Sequence, residues 1–207
     1  MTDWDERFES GQYPRDPKPS AMLRRHVEDL PGGRALDVAA GTGRNAVFLA
    51  EEGYQVDVLD GSRSGLEITR KRAADRGAES RLDCIQADIP SYEFPTAAYD
   101  LVTISFYRAV DRFPDIKEAL TEGGTLFVEH HLRTTDPVSS GPSGDRYRFA
   151  ANELLHATLD LNVVCYEERT ESRPDGRDAA VARVVAWKRS GPRQSYPRVG
   201  DTSGSER

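Results

Sequence analysis

The sequence predicts an α/β fold: a doubly wound, seven-stranded sheet, mostly parallel, closed by an antiparallel C-terminal hairpin. Three observations carry that prediction. Short apolar runs alternate with helix-spaced segments from Arg34 to His130. The first run feeds straight into a glycine turn and then a helix, within RALDVAAGTGRNAVFLA (34–50). Two late strand-like runs flank Pro174-Asp175-Gly176, a hairpin signal.

Taken in order, residues 1–17 carry Trp4, Phe8 and Tyr13 among charges, too many aromatics for a free tail. They are expected to fold over the domain as a lid. Pro19–Leu30 has apolar positions Leu23, Val27 and Leu30 at helical spacing and stops before Pro31-Gly32-Gly33. Ala35–Ala39 is a strand covered on both faces. Gly41 and Gly43 turn the chain, and Ala46, Val47, Leu49 and Ala50 continue as a helix. Tyr54–Asp60 alternates as a second strand, and Ser62–Gly77 is a charged amphipathic helix. Leu82–Asp88 and Asp100–Phe106 are the third and fourth strands, the fourth apolar enough to be central. Asp115–Leu120 is a helix stopped by Gly123-Gly124, and Thr125–His130 is the fifth strand. Thr134–Gly144 is a loop, Ala151–Leu159 a short helix, and Leu161–Glu168 with Ala179–Arg189 the closing pair. The domain is expected over 18–189, with a disordered tail at 190–207.

Composition narrows the function. The chain has 207 residues, 37% of them hydrophobic, which suits one α/β domain rather than two. Its net charge of −7 argues against nonspecific nucleic-acid binding. Arg70, Lys71, Arg72 and Arg76 form a basic cluster, read as the solvated face of a helix. No apolar run reaches the roughly 18 residues of a membrane span, and the N-terminus lacks a signal-peptide core, so a cytoplasmic protein is expected. Cys84 and Cys165 lie far apart in apolar surroundings and are read as buried small hydrophobes in strands; no metal site is expected.

The ends of the strands carry the chemistry, because open α/β sheets bind ligands beyond their carboxyl ends. Gly-Thr-Gly-Arg-Asn-Ala satisfies the loose pattern of dinucleotide turns. Yet Asp37 stands four residues before Gly41, where a carboxylate would repel a pyrophosphate. It suits a cation. S-adenosylmethionine (SAM) offers a sulfonium, an ammonium and a nucleoside, with no phosphate. Asp37 is expected at its methionine end, directly or through water. The alternative is that Asp37 caps the following turn. Asp60, beside Gly61, is placed to accept both ribose hydroxyls, or to cap the helix that follows. Asp88 is placed to accept the adenine amino group while Ile89 packs on the ring; otherwise Asp88 is a turn residue before Pro90.

With those residues in view, DVAAGTGRNA, VDVLD and QAD resemble the SAM-binding motifs of class I methyltransferases. WDERF, GTGRNAVFLAEEGYQVDVLD and YRFAANELL…YEE are similar to the small tellurite-resistance and thiopurine-type methyltransferases. The resemblance covers roughly residues 4–170 and implies a Rossmann-like fold, SAM as cofactor and a small-molecule methyl acceptor. Cofactor contacts are expected at Asp37, Ala39, Gly41, Gly43, Arg44, Asp60, Gly61, Asp88, Ile89 and Ser105. Ala39 stands where many class I enzymes have glycine, which suits the backbone only if φ there is negative. The fourth strand ends in Ser105-Phe106-Tyr107 without a [DN]PPY string, which disfavours amino-methylation of DNA or glutamine.

Methyl transfer from a sulfonium is an in-line displacement, so the protein chiefly has to align nucleophile, methyl and sulfur. A soft anion needs no base; a hydroxyl or a high-pKa thiol benefits from one. Candidates at the fourth and fifth strand ends are Tyr107, Glu129, His130 and His131. Tyr13, Arg15 and Arg146 are candidates for holding the acceptor. The alternatives are an NAD(P)-dependent oxidoreductase, which lacks support because Tyr107 has Asp111 rather than lysine four residues on, and a non-catalytic SAM-binding module.

Overall fold

A computed structural model describes residues 4–11, 13, 17–30, 32–173, 176–189 and 191. Seven strands form one sheet: β1 (Arg34–Val38), β2 (Gln55–Asp60), β3 (Leu82–Gln86), β4 (Tyr99–Ser105), β5 (Leu120–His131), β6 (Asn162–Ser172) and β7 (Asp178–Trp187). Their spatial order is β3-β2-β1-β4-β5-β7-β6. β1 to β5 pair in parallel, and β7 pairs antiparallel with both β5 and β6. The expected doubly wound sheet with its antiparallel hairpin is therefore present, with β4 at the centre.

Among the described residues six α-helices flank it: α1 (Trp4–Glu9), α2 (Ala21–His26), α3 (Arg44–Glu51), α4 (Arg63–Asp75), α5 (Phe113–Ala119) and α6 (Glu153–His156). Strand residues alternate between two apolar layers. Ala35, Val58, Leu101, Phe127 and Val185 pack with Leu23 of α2, Leu49 of α3 and Leu66 of α4. Leu36, Val38, Val102, Ile104, Val128 and Val184 pack with Phe113 and Ile116 of α5 and Leu154 of α6. The strand order reverses between β1 and β4, and that switch point locates the crevice for a ligand.

Several local expectations change. Gly123-Gly124 does not stop a helix. α5 ends at Ala119, Leu120 is already extended, and β5 runs through both glycines. A Cβ on Gly124 would lie 3.0 Å from the Thr121 carbonyl and 3.1 Å from that of Tyr99, so the absent side chain serves a close strand approach rather than a helix end. Cys84 and Cys165 are half-buried rather than buried, because they fall on β3 and β6, the two edges of the sheet. Arg72 is not part of a solvated face: it is 8% exposed, on the side of α4 that meets the glycine turn. Pro174, Asp175 and the tail from 192 onward lie outside the described residues.

Candidate active site

The glycine turn is built by left-handed backbone. Ala39 (φ 54°), Gly41 (φ 57°) and Gly43 (φ 71°) all adopt it. The condition under which alanine would fit at 39 without strain is thus not met; alanine accepts positive φ there at a cost of about 1–2 kcal/mol. Gly43 is required on steric grounds as well, since a Cβ would come within 2.4 Å of the Thr69 methyl. α4 clasps the turn from behind. The Thr69 hydroxyl donates to the Gly41 carbonyl at 3.2 Å, and Arg72 donates to the Thr42 carbonyl at 2.5 Å and to that of Pro17 at 3.3 Å. Thr69 and Arg72 escape sequence reasoning because nothing in a helical pattern marks which polar residues meet a loop 30 residues away.

The three acids occupy three different environments. Asp37 is buried; its carboxylate accepts the Thr103 hydroxyl at 2.6 Å and the Ala46 N–H at 3.1 Å, tying β4 and the first turns of α3 to β1. Burial, opposed mainly by the Thr103 hydrogen bond, pushes its pKa up to about 6, and the charge of Asp60 adds to the rise. Asp60 accepts the Gly41 N–H and the Ser62 N–H, each at 2.7 Å, and burial raises its pKa too. Gly61 beside it is exposed, and its carbonyl accepts Gln86 Nε2 at 3.4 Å. Asp88 is exposed and accepts the Ser91 hydroxyl at 3.3 Å, while Ile89 is buried in the α5-side layer.

This donor set fits SAM. Both carboxylates are raised chiefly by desolvation, and the charge of Asp60 adds to the rise at Asp37, so a cation beside the turn is favoured. A pyrophosphate there is disfavoured. Among the described residues, no group of three or more His, Cys, Asp or Glu side chains is arranged to hold a metal ion.

A second cluster lies where β4 and β5 end. Arg44, at the start of α3, pairs with Glu129 of β5, and its guanidinium carbon sits 4.9 Å from the centre of the Phe106 ring. Glu129 is 2% exposed and also receives Arg183 of β7 and the Ser20 hydroxyl, the latter at 3.0 Å. Burial alone would raise its pKa; the Arg44 and Arg183 guanidiniums overcome this and hold it down at about 2. Glu129 is therefore an ion-pair anchor and too weak a base for proton abstraction. Phe106 has φ 58°, and its N–H donates to the Glu129 carbonyl at 2.8 Å. The Ser105 hydroxyl accepts Asn45 Nδ2 at 2.9 Å, and Asn45 Oδ1 accepts the Ser20 N–H at 3.1 Å.

The two histidines meet different neighbours, although their rings lie edge-on to each other at 6.0 Å. Consecutive strand residues face opposite sides of a sheet. His131 lies with Phe106, ring centres 4.7 Å apart, on the face that carries Glu129. His130 lies against Phe149, and its Nε2 meets the Tyr147 carbonyl at 2.8 Å. Burial lowers their pKa values to about 4 for His130 and about 3 for His131, so both rings are neutral at pH 7. Burial and the charge of Asp88 raise the Tyr107 phenol, which stays protonated. Arg173, which sequence reasoning did not single out, sets its guanidinium carbon 5.3 Å from the Phe106 ring centre.

The N-terminal segment reaches the turn from outside. Asp5 of α1 accepts the Ser62 hydroxyl at 2.6 Å and the Ser64 N–H at 2.9 Å, at the start of α4. Phe8 packs on Gly41 and Gly65, and Tyr13 lies edge-on to Phe8 at 5.0 Å. Arg15 falls outside the described residues. Arg146 is exposed on the loop after β5 and stacks on Tyr147 at 4.5 Å, on the side of the sheet that carries His130.

Comparison with known proteins agrees with this geometry. Residues 35–124 match the family described as Methyltransferase domain. The chain is 32% identical over 154 residues to a demethylmenaquinone methyltransferase of Clavibacter sepedonicus, covering 72% of this chain and 61% of that protein. It is 37% identical over 175 residues to the protein of the same name from Renibacterium salmoninarum, covering 79% of this chain and 65% of the relative. The chain thus spans about two thirds or less of the length of these relatives. TehB from Haemophilus influenzae shares the fold, with a TM-score of 0.72 at 19% identity over 90% of this chain and 67% of that one. Sheet order, glycine turn, strand-end acids and sequence relatives converge on one likeness: residues 35–124 match a methyltransferase domain, and the chain is similar to class I SAM-dependent methyltransferases.

Proposed function

We propose that this protein transfers a methyl group from SAM to a small-molecule nucleophile (a thiol, an oxyanion or a hydroxyl) by in-line displacement. The supporting observation is the pair of desolvated carboxylates, Asp37 and Asp60, behind a glycine turn. When bound, SAM supplies an electrophilic methyl on a sulfonium. In this reading Asp60 accepts the ribose hydroxyls with the lone pairs not used by Gly41 and Ser62. Gly61 keeps that approach open, and Asp88 and Ile89 serve the adenine. Ala39, Gly41, Gly43 and Ser105 line the methionine end, and Asp37 balances its ammonium from behind the turn.

The acceptor side falls to Phe106, His131 and the arginines beside them. With its pKa held at about 3, His131 is too weak a base for a hydroxyl or a high-pKa thiol and serves to shape this end of the site; an acceptor already anionic needs no base. His130 and Tyr107 support this end of the sheet, and Tyr13 is the candidate on the N-terminal segment for closing over the acceptor, whereas Arg146 lies on the far side with His130. The net charge and the lack of a long apolar helix among the described residues support a cytoplasmic small-molecule enzyme. The relatives named for demethylmenaquinone make a quinone-type ring carbon one further acceptor class to test. The experiment is conversion of SAM to S-adenosylhomocysteine (SAH) across thiols, oxyanions and phenols. Acceptor-dependent product supports the proposal; SAM binding with no product for any class favours a non-catalytic module.

A further inference from the structure

Arg44 poses an electrostatic problem. It follows the glycine turn directly, and its charge acts on Asp37, so it stands beside the region that must take a sulfonium. A bare guanidinium there would repel a cationic cofactor. Among the described residues its one ion pair is with Glu129. Glu129 is buried, and its carboxylate is held from three sides by Arg44, Arg183 and Ser20. Arg183, the other cation on Glu129, has two further carboxylates, Glu167 at 2.8 Å and Glu171. Arg183 therefore keeps two ion pairs without Glu129, whereas Arg44 keeps none among the described residues and has only the more distant charge of Asp37.

Glu129 also fixes where Arg44 sits. Its main-chain carbonyl holds the Phe106 N–H, which sets the left-handed turn that presents the Phe106 ring under the Arg44 guanidinium. One residue of β5 thus supplies both the counter-charge and the platform.

We infer that Glu129 is a positioning residue that anchors and neutralises Arg44, so that the mouth beside the glycine turn accepts a cationic sulfonium over its neutral thioether product. The inference rests on SAM being the cofactor. SAM and SAH differ by one methyl group and one positive charge, so their affinity ratio reads the charge at the mouth. A general loosening of the site moves both affinities together and leaves the ratio alone.

The test is calorimetric titration of SAM and SAH into the full chain and three variants. Glu129→Gln weakens SAM relative to SAH by about tenfold, the order expected of one uncompensated charge near the site at an effective ε of about 20. Arg44→Gln moves the ratio the other way, toward SAM. The double variant returns it to within about threefold of the wild-type value. Because removing a buried carboxylate from its partners endangers folding, Arg44→Gln, on a half-buried side chain, stands as the second measurement. Equal changes in SAM and SAH affinity in either folded single variant would overturn the inference. A wild-type chain that binds neither ligand would overturn the cofactor assignment first, and this inference with it.

Discussion

The Asp60 carboxylate accepts the backbone N–H of Gly41 at 2.7 Å, latching the end of β2 onto the glycine turn of β1. Its other oxygen holds the Ser62 N–H, so one side chain fixes both loops that face the nucleoside. Asp60→Asn presents an amide to one of those N–H groups and loses that bond. The expected cost is about 1.5–3 kcal/mol, from the loss of a charged acceptor. For a chain of this size that lowers Tm by roughly 3–12 °C. A thermal melt unchanged within about 1 °C would show that the latch carries no stability.

Ala39 separates strain from packing. At φ 54° glycine relieves the left-handed strain but loses more entropy on folding, so Ala39→Gly is expected within about 1 kcal/mol of wild type. Ala39→Val puts a β-branched residue into the same conformation and should destabilise by about 1–3 kcal/mol. Urea unfolding of the two variants checks the order; equal stability would argue against a left-handed residue 39.

The glycine turn is held by the helix behind it. Arg72→Met leaves the Thr42 carbonyl without its guanidinium, at a cost of about 1.5–3 kcal/mol, and loosens the turn that carries the cofactor. Gly43→Ala drives a Cβ into Thr69 and is expected to be worse than Arg72→Met in both melting temperature and SAM affinity. The reverse order would show that the clasp, not the close approach, sets the geometry.

Acid should destabilise this fold well above the usual carboxylate range. His130 and His131 have folded pKa values of about 4 and about 3, below the ordinary 6.5. The unfolded chain therefore binds protons first, and the stability these residues contribute is complete above pH 6.5 and lost as pH falls toward 3. Asp37 acts in the opposite sense: its pKa is raised to about 6, so its contribution is full below 3.8 and lost as pH rises through 6. The two histidines outweigh Asp37, whose sense Asp60 shares, and stability falls from pH 7 to pH 4.5 by up to about 1.4 kcal/mol per pH unit for each uncompensated histidine. Urea midpoints across that range check the sign, and His131→Asn should flatten the slope. A midpoint that rises on acidification would contradict the buried neutral histidines.

Periodicity and turn residues made the sheet legible, because strand and helix periods differ and Gly41 and Gly43 mark the crossing from one to the other. The parallel core with its antiparallel closure followed from the order of the runs. What escaped was long-range. That Arg72 reaches the Thr42 carbonyl, or that Glu129 gathers Arg44, Arg183 and Ser20, depends on which strands become neighbours. That His130 and His131 meet different neighbours was readable from strand alternation. The environments of Asp37 and Asp88 were not, since the same residue type at a strand end is buried in one and exposed in the other.

The cofactor claim is tested most directly by calorimetric titration of the full chain with SAM, SAH and NAD at neutral pH. SAM and SAH should each bind at one site per chain, and NAD should give no heat. Saturable binding of NAD, with neither SAM nor SAH binding, would contradict the account.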